Sequence, residues 1–246
     1  MTERFRVFWD AKLGRPTEEY EDAFWPDTLE SGSGLARRYA VADGATESSY
    51  SRHWATLLAE AYGLGAARPR SLVHALPGLQ AAWRSSHESS SRSWFAAEKI
   101  AMGAFAALLG VSITGEGAER RLSGLAVGDC CLVVVRDGRW SPWPIVSSAD
   151  FGLNPALLSS SADSISQRSL MRSRHVKLVP GDSVFLMSDA IAAWFLREAE
   201  TGGRPWMSLA DLAPGDDERF RAWSRGIRQA GLMRDDDVTV AIVDAG

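Results

Sequence analysis

The chain has 246 residues, 46% hydrophobic and 24% charged, a balance that excludes disordered and collagen-like classes. At roughly 150 residues per domain this length allows one large domain or two small ones, with enough core to need no staple. Lys and Arg number 27 against 31 Asp and Glu, a net charge of −4, and without a Lys/Arg run such a chain is a poor general nucleic-acid binder.

In chain order, the opening MTERFRVFWD has no apolar stretch behind its charges, so no secretory leader is expected. The run Tyr39–Ala42 is closed by Asp43 and Gly44. Trp54, Leu57, Leu58, Ala61 and Tyr62 recur at helical spacing and predict an amphipathic helix that starts after the capping candidates Ser48 and Ser49. A second helix is expected over Ser71–Arg84, with Leu72, Leu76, Leu79 and Trp83 as its stripe, and a third from Trp94 to about Met102. From Gly103 onward helix and buried strand fit equally well. The uncharged stretch Ile100–Ile113 is too short for the ~20 residues of a bilayer span and reads as core, so no membrane association is expected.

The second half changes character. Leu122–Val127 and the β-branched run Cys130–Val135 read as strands, and Asp137-Gly138 before Trp140 is a strong hairpin signal. His175–Leu178, Pro180-Gly181-Asp182 and Val184–Met187 read as strand, tight turn, strand. Ile191–Glu198 and Phe220–Gln229 look helical, and Val238–Val243 is a final strand. The serine-rich pieces Arg84–Ser93 and Ser159–Ser169 are expected as surface loops. Helices in one block and hairpin-linked strands in another give an α+β class with antiparallel sheet. No linker divides the chain, so residues 1–246 are read as a single domain. Cys130 and Cys131, adjacent on a strand, point to opposite faces and cannot bridge one another; unpaired thiols fit a cytoplasmic setting.

Aspartates stand at the strand ends: Asp43, Asp129, Asp189 and the trio Asp235, Asp236 and Asp237, with Glu21 and Asp22 ahead of an apolar pair. Each alone is an ordinary turn former. Brought together they would repel one another, and a hard divalent ion with oxygen ligands resolves that repulsion.

In order, YEDA (Glu21, Asp22), AVADGATES (Asp43, Gly44), AVGDCCL (Gly128, Asp129), GDSVFLMSDA (Asp182, Asp189) and DDDVTVAIV (Asp236, Thr239) resemble the protein phosphatase 2C family of metal-dependent serine/threonine phosphatases, in particular its bacterial branch with an Asp-Gly-Ala-Thr motif. The resemblance implies a four-layer αββα sandwich, two antiparallel sheets flanked by helices. It also makes the Gly103–Ile113 segment a central strand. It implies two Mn²⁺ or Mg²⁺ ions and hydrolysis of phosphoserine or phosphothreonine by a metal-activated water. Asp43 would bridge both ions, the Gly44 carbonyl would bind one, and Asp189 and Asp236 would hold the other. Glu21 and Asp22 would act through water, and Asp129 matches the position that supports a third ion in some members. Asp43, Asp189 and Asp236 are thus the catalytic set, and Asp182 is a turn residue. A phosphorylated protein substrate and a cognate serine/threonine kinase are the implied partners in cytoplasmic signal transduction.

Several positions depart from the family pattern. Ala45 replaces the His after Asp-Gly that is a proposed proton donor, and His53 on the following helix is expected to pack or face solvent. Thr17 stands where relatives carry a phosphate-holding Arg, with Lys12 and Arg15 nearby as substitutes. Ala190 replaces Gly, and Asp237 replaces Asn. His74, His87 and His175 lack ligand-like spacing, Trp143, Trp194, Trp206 and Trp223 are expected in the core, and a cysteine-nucleophile mechanism is set aside. Two alternatives keep the fold but change the role: a catalytically weak regulatory or interaction module, and a hydrolase of small phosphorylated metabolites.

Overall fold

The computed structural model describes residues 4–26, 36–45, 50–68, 71–88, 94–152 and 155–245. Among the described residues eleven strands form two antiparallel sheets. The five-stranded sheet runs β1 (Arg4–Asp10), β11 (Val238–Asp244), β10 (Ser183–Met187), β6 (Cys131–Arg136), β7 (Arg139–Trp143). In the six-stranded sheet the order is β2 (Ala23–Trp25), β3 (Ala36–Gly44), β4 (Phe105–Thr114), β5 (Arg121–Val127), β9 (Arg172–Lys177), and the short β8 (Leu158–Ser159) pairs with the start of β4.

The layers follow from side chains alternating across buried strands. In β6, Leu132 and Val134 enter the apolar layer between the sheets, while Val133 and Val135 enter the layer outside. Strand β11 divides likewise, Ala241 and Val243 inward and Val240 and Ile242 outward. Strand β3 places Tyr39 and Val41 between the sheets, with Ala40 and Ala42 on its outer side. Helices α4 (Asp189–Glu200), α5 (Pro205–Ala210) and α6 (Asp217–Gln229) cover the five-stranded sheet through Trp194, Phe195, Leu209 and Phe220. Helices α1 (Ser51–Gly63), α2 (Leu72–Glu88) and α3 (Trp94–Met102) cover the other through Trp54, Tyr62, Leu76 and Trp83. This is the expected four-layer sandwich, with β4 as its central strand. A methyl group at Gly110 would lie 2.5 Å from the Tyr62 ring, so glycine there lets α1 sit close on β4.

Asp137 and Gly138 both have positive φ (49° and 74°), as a two-residue hairpin between β6 and β7 requires. The strand–turn–strand reading around Gly181 is corrected in one respect: β9 pairs with β5 and β10 with β6 and β11, so that turn crosses between sheets. The serine-rich segments are also more ordered than expected. Arg84–Glu88 completes α2, and Ser159, Ser160 and Gln167 are buried, with Gln167 accepting from the Ser159 amide at 2.7 Å. Ser89–Ser93 and the helix-capping candidates Ser48 and Ser49 lie outside the described residues. Cys130 and Cys131 are free and buried, one between the sheets and the other beneath α4 to α6. Among the described residues no helix is long and apolar enough to cross a membrane.

Candidate metal centre

The strand-end carboxylates come from segments far apart in sequence. Asp43 lies near the end of β3, opposite Ala107 of β4. Asp129 sits in the turn between β5 and β6, where Gly128 has a φ of +88° and faces Ala107 so closely that a Cβ would be 2.6 Å away. Asp189 is the first residue of α4, separated from β10 by Ser188 alone, and Asp236 is separated from β11 by Asp237 alone. Ser188 ties these ends together: its amide donates to the Thr239 carbonyl (3.0 Å), and the Thr239 amide donates to its hydroxyl (2.9 Å). A Cβ on Gly44 would lie 2.7 Å from the Glu21 carbonyl oxygen, so glycine lets the end of β3 meet the acidic pair.

Asp22 is buried, and its Oδ2 accepts from the Thr239 hydroxyl at 2.6 Å, which in turn lies 2.5 Å from the Tyr20 hydroxyl. Among the described residues its Oδ1 is buried with no partner at hydrogen-bonding geometry, a costly state for a carboxylate unless a cation completes it, although Ser188 lies close enough to favour the ionised carboxylate. Burial, then the charges of Asp237 and Asp189, push Asp22 well above the usual carboxylate range. Asp43 is raised likewise, by burial first and then by Asp22, Asp189, Asp129 and Asp236. Burial and Asp189 raise Asp129 to about 7. These mutual influences place the acidic groups in one electrostatic neighbourhood. Glu21 accepts from the Ser51 hydroxyl at the start of α1 (2.5 Å).

Two cationic side chains enter the cluster. The Lys12 ammonium is 3.0 Å from Asp236 and 3.7 Å from Glu21. Burial alone would lower its pKa, but Asp236, Asp237 and Glu21 outweigh that and raise it. The Arg234 guanidinium bonds Asp189 and lies 3.2 Å from Asp236, spanning the two carboxylates that the resemblance gives to one ion. Sequence reasoning missed Arg234; its place beside the Asp trio was the available signal. Among the described residues no three His, Cys, Asp or Glu side chains stand ready-made around a metal position. The donor set nevertheless fits a hard dication: oxygen ligands only, excess negative charge and an orphaned carboxylate oxygen. Asp237, which replaces the family's Asn, accepts from the backbone amides of Lys12 (2.9 Å) and Glu21 (2.7 Å), so it pins the loops that carry the other acidic groups.

Arg15 lies outside the cluster, ion-paired with Glu19 on the surface (3.0 Å). Ala45 follows Gly44 and carries no titratable group. His53 contacts His87 across α1 and α2 (2.9 Å), His74 is exposed, and His175 meets the Ser123 hydroxyl (3.1 Å). Cys130 and Arg136 do stand with five residues between them in the manner of cysteine phosphatases, a match the sequence reading overlooked. The residues from Cys131 to Arg136 are strand β6 and form no phosphate-cradling loop, and Arg136 makes two 2.7 Å bonds to Asp182. Asp182 therefore anchors the crossing turn, also accepting from the Val179 amide at 2.9 Å. Trp194, Trp206 and Trp223 pack beneath the helices, and Trp143 packs against the layer between the sheets.

Solved structures share this architecture over essentially the whole chain. The serine/threonine phosphatase Stp1 from Staphylococcus aureus superposes with a TM-score of 0.67 at 11% identity, covering 100% of this chain and 96% of its own. For the Mycobacterium tuberculosis phosphatase PstP/Ppp the TM-score is 0.62 at 16% identity, with 99% of each chain covered. The chain has the protein phosphatase 2C fold. A further structure with that fold, the catalytic domain of PstP in complex with two manganese ions, matches with a TM-score of 0.61 at 17% identity, covering 98% of this chain and 97% of its own. No family model and no curated protein matches the sequence. In this chain the end of the protein phosphatase 2C sandwich that gathers Asp22, Asp43, Asp129, Asp189 and Asp236 is also where Lys12 and Arg234 converge.

Proposed function

We propose that this chain is a metal-dependent phosphoserine/phosphothreonine protein phosphatase using Mn²⁺ or Mg²⁺. The observation that carries the reading is the convergence of Asp22, Asp43, Asp189 and Asp236 at one end of the sandwich, with Asp22 Oδ1 buried and, among the described residues, without a partner at hydrogen-bonding geometry. Asp43, the Gly44 carbonyl, Asp189 and Asp236 would hold two ions, Glu21 and Asp22 would act through water, and Asp129 offers a third position. When bound, the ions supply a nucleophilic water at neutral pH and offset the charge of an entering phosphate.

The chain's own residues position and neutralise. The Tyr20–Thr239–Asp22 hydrogen bonds fix the Asp22 carboxylate, and Asp237 fixes the backbone of Lys12 and Glu21. Lys12 faces the acidic cluster and takes the phosphate-orienting part that Thr17 cannot fill. Ala45 offers no proton to a leaving alkoxide. A cognate kinase and a cytoplasmic setting belong to the same reading, the latter supported by two buried free thiols.

The test is hydrolysis of a phosphothreonine peptide with and without Mn²⁺ by the wild type, Asp43→Asn and Asp236→Asn. Activity is expected only for the wild type with metal; equal rates for all three would end the proposal. The occupation of the Asp189–Asp236 position by Arg234 favours a second reading, a catalytically weak regulatory module. Calorimetric binding of two ions without turnover of any phosphopeptide would select it, and turnover confined to nucleotides or sugar phosphates would point to a metabolite hydrolase.

A further inference from the structure

Beside the acidic cluster lies a separate concavity of about 450 Å³ between the Trp9–Thr17 segment and one face of α6. The helix face follows from spacing. Phe220 and Ser224 are buried towards the sheet, which leaves Arg221, Arg225 and Gln229, at i, i+4 and i+8, along the cavity wall. Lys12 and Arg15 line the facing side. The floor is Trp9, whose ring carries the Arg221 guanidinium at 5.1 Å, and Asp10.

The charge of this cavity opposes that of the molecule. Asp10 is the carboxylate among its lining residues, and it is already bonded by Arg225 (3.1 and 3.2 Å) and by the buried Arg228. Around it stand Arg221 and Arg225 on α6 and, across from them, Lys12 and Arg15, of which Lys12 also pairs with Asp236 and Arg15 with Glu19, in a chain whose net charge is −4. A concave wall with concentrated positive charge attracts and orients anions. Lys12 faces both places: it lines the cavity, and its ammonium is 3.0 Å from Asp236. A peptide with its phosphoresidue at the acidic cluster therefore has an adjoining residue within reach of the arginine wall.

We propose that this cavity is a substrate subsite for an anionic side chain, a carboxylate or a second phosphate, flanking the phosphoresidue that is hydrolysed. The inference rests on the phosphatase reading of the neighbouring cluster and adds a substrate class to it: phosphopeptides of acidic or multiply phosphorylated sequence.

The experiment compares phosphothreonine peptides whose flanks carry Asp, Asn or a second phosphothreonine. One arm measures kcat/KM with Mn²⁺. The other measures fluorescence anisotropy of the same labelled peptides on metal-free protein. The expected result is about a fivefold preference for anionic over Asn flanks, of the size one partly exposed charge pair supplies. The preference should shrink as salt is raised, reverse or vanish in Arg221→Glu, and persist in Arg221→Lys. Comparing the Asp and second-phosphate arms tells which anion the site takes. Equal constants for anionic and Asn flanks in both arms would overturn the subsite. So would a preference that Arg221→Glu leaves unchanged. If no peptide is hydrolysed the phosphatase reading fails, while the anisotropy arm still decides whether the cavity selects anions.

Discussion

Replacing Arg234 by alanine is expected to tighten divalent-metal binding. The guanidinium bonds Asp189 and stands 3.2 Å from Asp236, where one ion would need both carboxylates. Ion and guanidinium therefore compete, and the apparent dissociation constant of the ion rises by the stability of the internal pair. The Arg234 side chain is 49% exposed, which limits each contact to the order of 0.5–1 kcal/mol, although Asp189 at 13% exposure keeps the pair from vanishing into solvent. Two such contacts total about 1–2 kcal/mol, or about 5- to 30-fold in affinity. Calorimetric titration of metal-stripped protein with Mn²⁺ measures this directly, and thermal denaturation adds a readout independent of turnover. The metal-free variant should melt lower than wild type, because its carboxylates lose their cation, and should gain more from added Mn²⁺. An unchanged or weaker dissociation constant in Arg234→Ala would refute competition and make Arg234 a helper of metal binding.

Two further outcomes concern stability. Asp10→Ala takes from the Arg228 guanidinium, whose side chain is 0% exposed, its buried carboxylate, leaving backbone carbonyls, including those of Ala11 and Asp236, and the half-exposed Asp235 at 3.7 Å. Breaking such a buried pair costs about 3–5 kcal/mol, visible as a lowered denaturant midpoint, and the double change Asp10→Ala/Arg228→Met should recover much of it. A loss below ~1 kcal/mol would contradict the burial argument. Burial, partly offset by the Ser112 hydroxyl and Arg38, raises the Tyr62 phenol to about 12. The unfolded chain then loses that proton first, near pH ~10, so stability falls as pH rises from about 10 to 12, by about 3 kcal/mol in all. Tyr62→Phe should flatten that part of the alkaline stability curve, as followed by urea titrations at several pH values; an unchanged slope would show that Tyr62 does not carry it.

Local sequence determined most of the regular elements and the acidic character of the candidate site. Residues that alternate between two buried faces need a nearly continuous apolar run, and β6 and β11 announce themselves that way, whereas the run of β4 fits helix as well and became a strand only through the family resemblance. Asp137-Gly138 specifies its own hairpin because two positive φ values suit few other pairs. Asp43, Asp129, Asp189 and Asp236 could be read as a set because the motifs that carry them resemble, in order, those of the protein phosphatase 2C family. Tertiary structure alone decided which strands share a sheet: β9 and β10 are joined by a tight turn yet pair with different neighbours. It also brought Arg234 onto Asp189, buried Asp237 under the amides of Lys12 and Glu21, and set α6 arginines around Trp9 and Asp10. These contacts join residues tens to hundreds of positions apart. Their energies depend on burial and approach distances that exist only once the sheets have closed on one another, so no local pattern of residues encodes them.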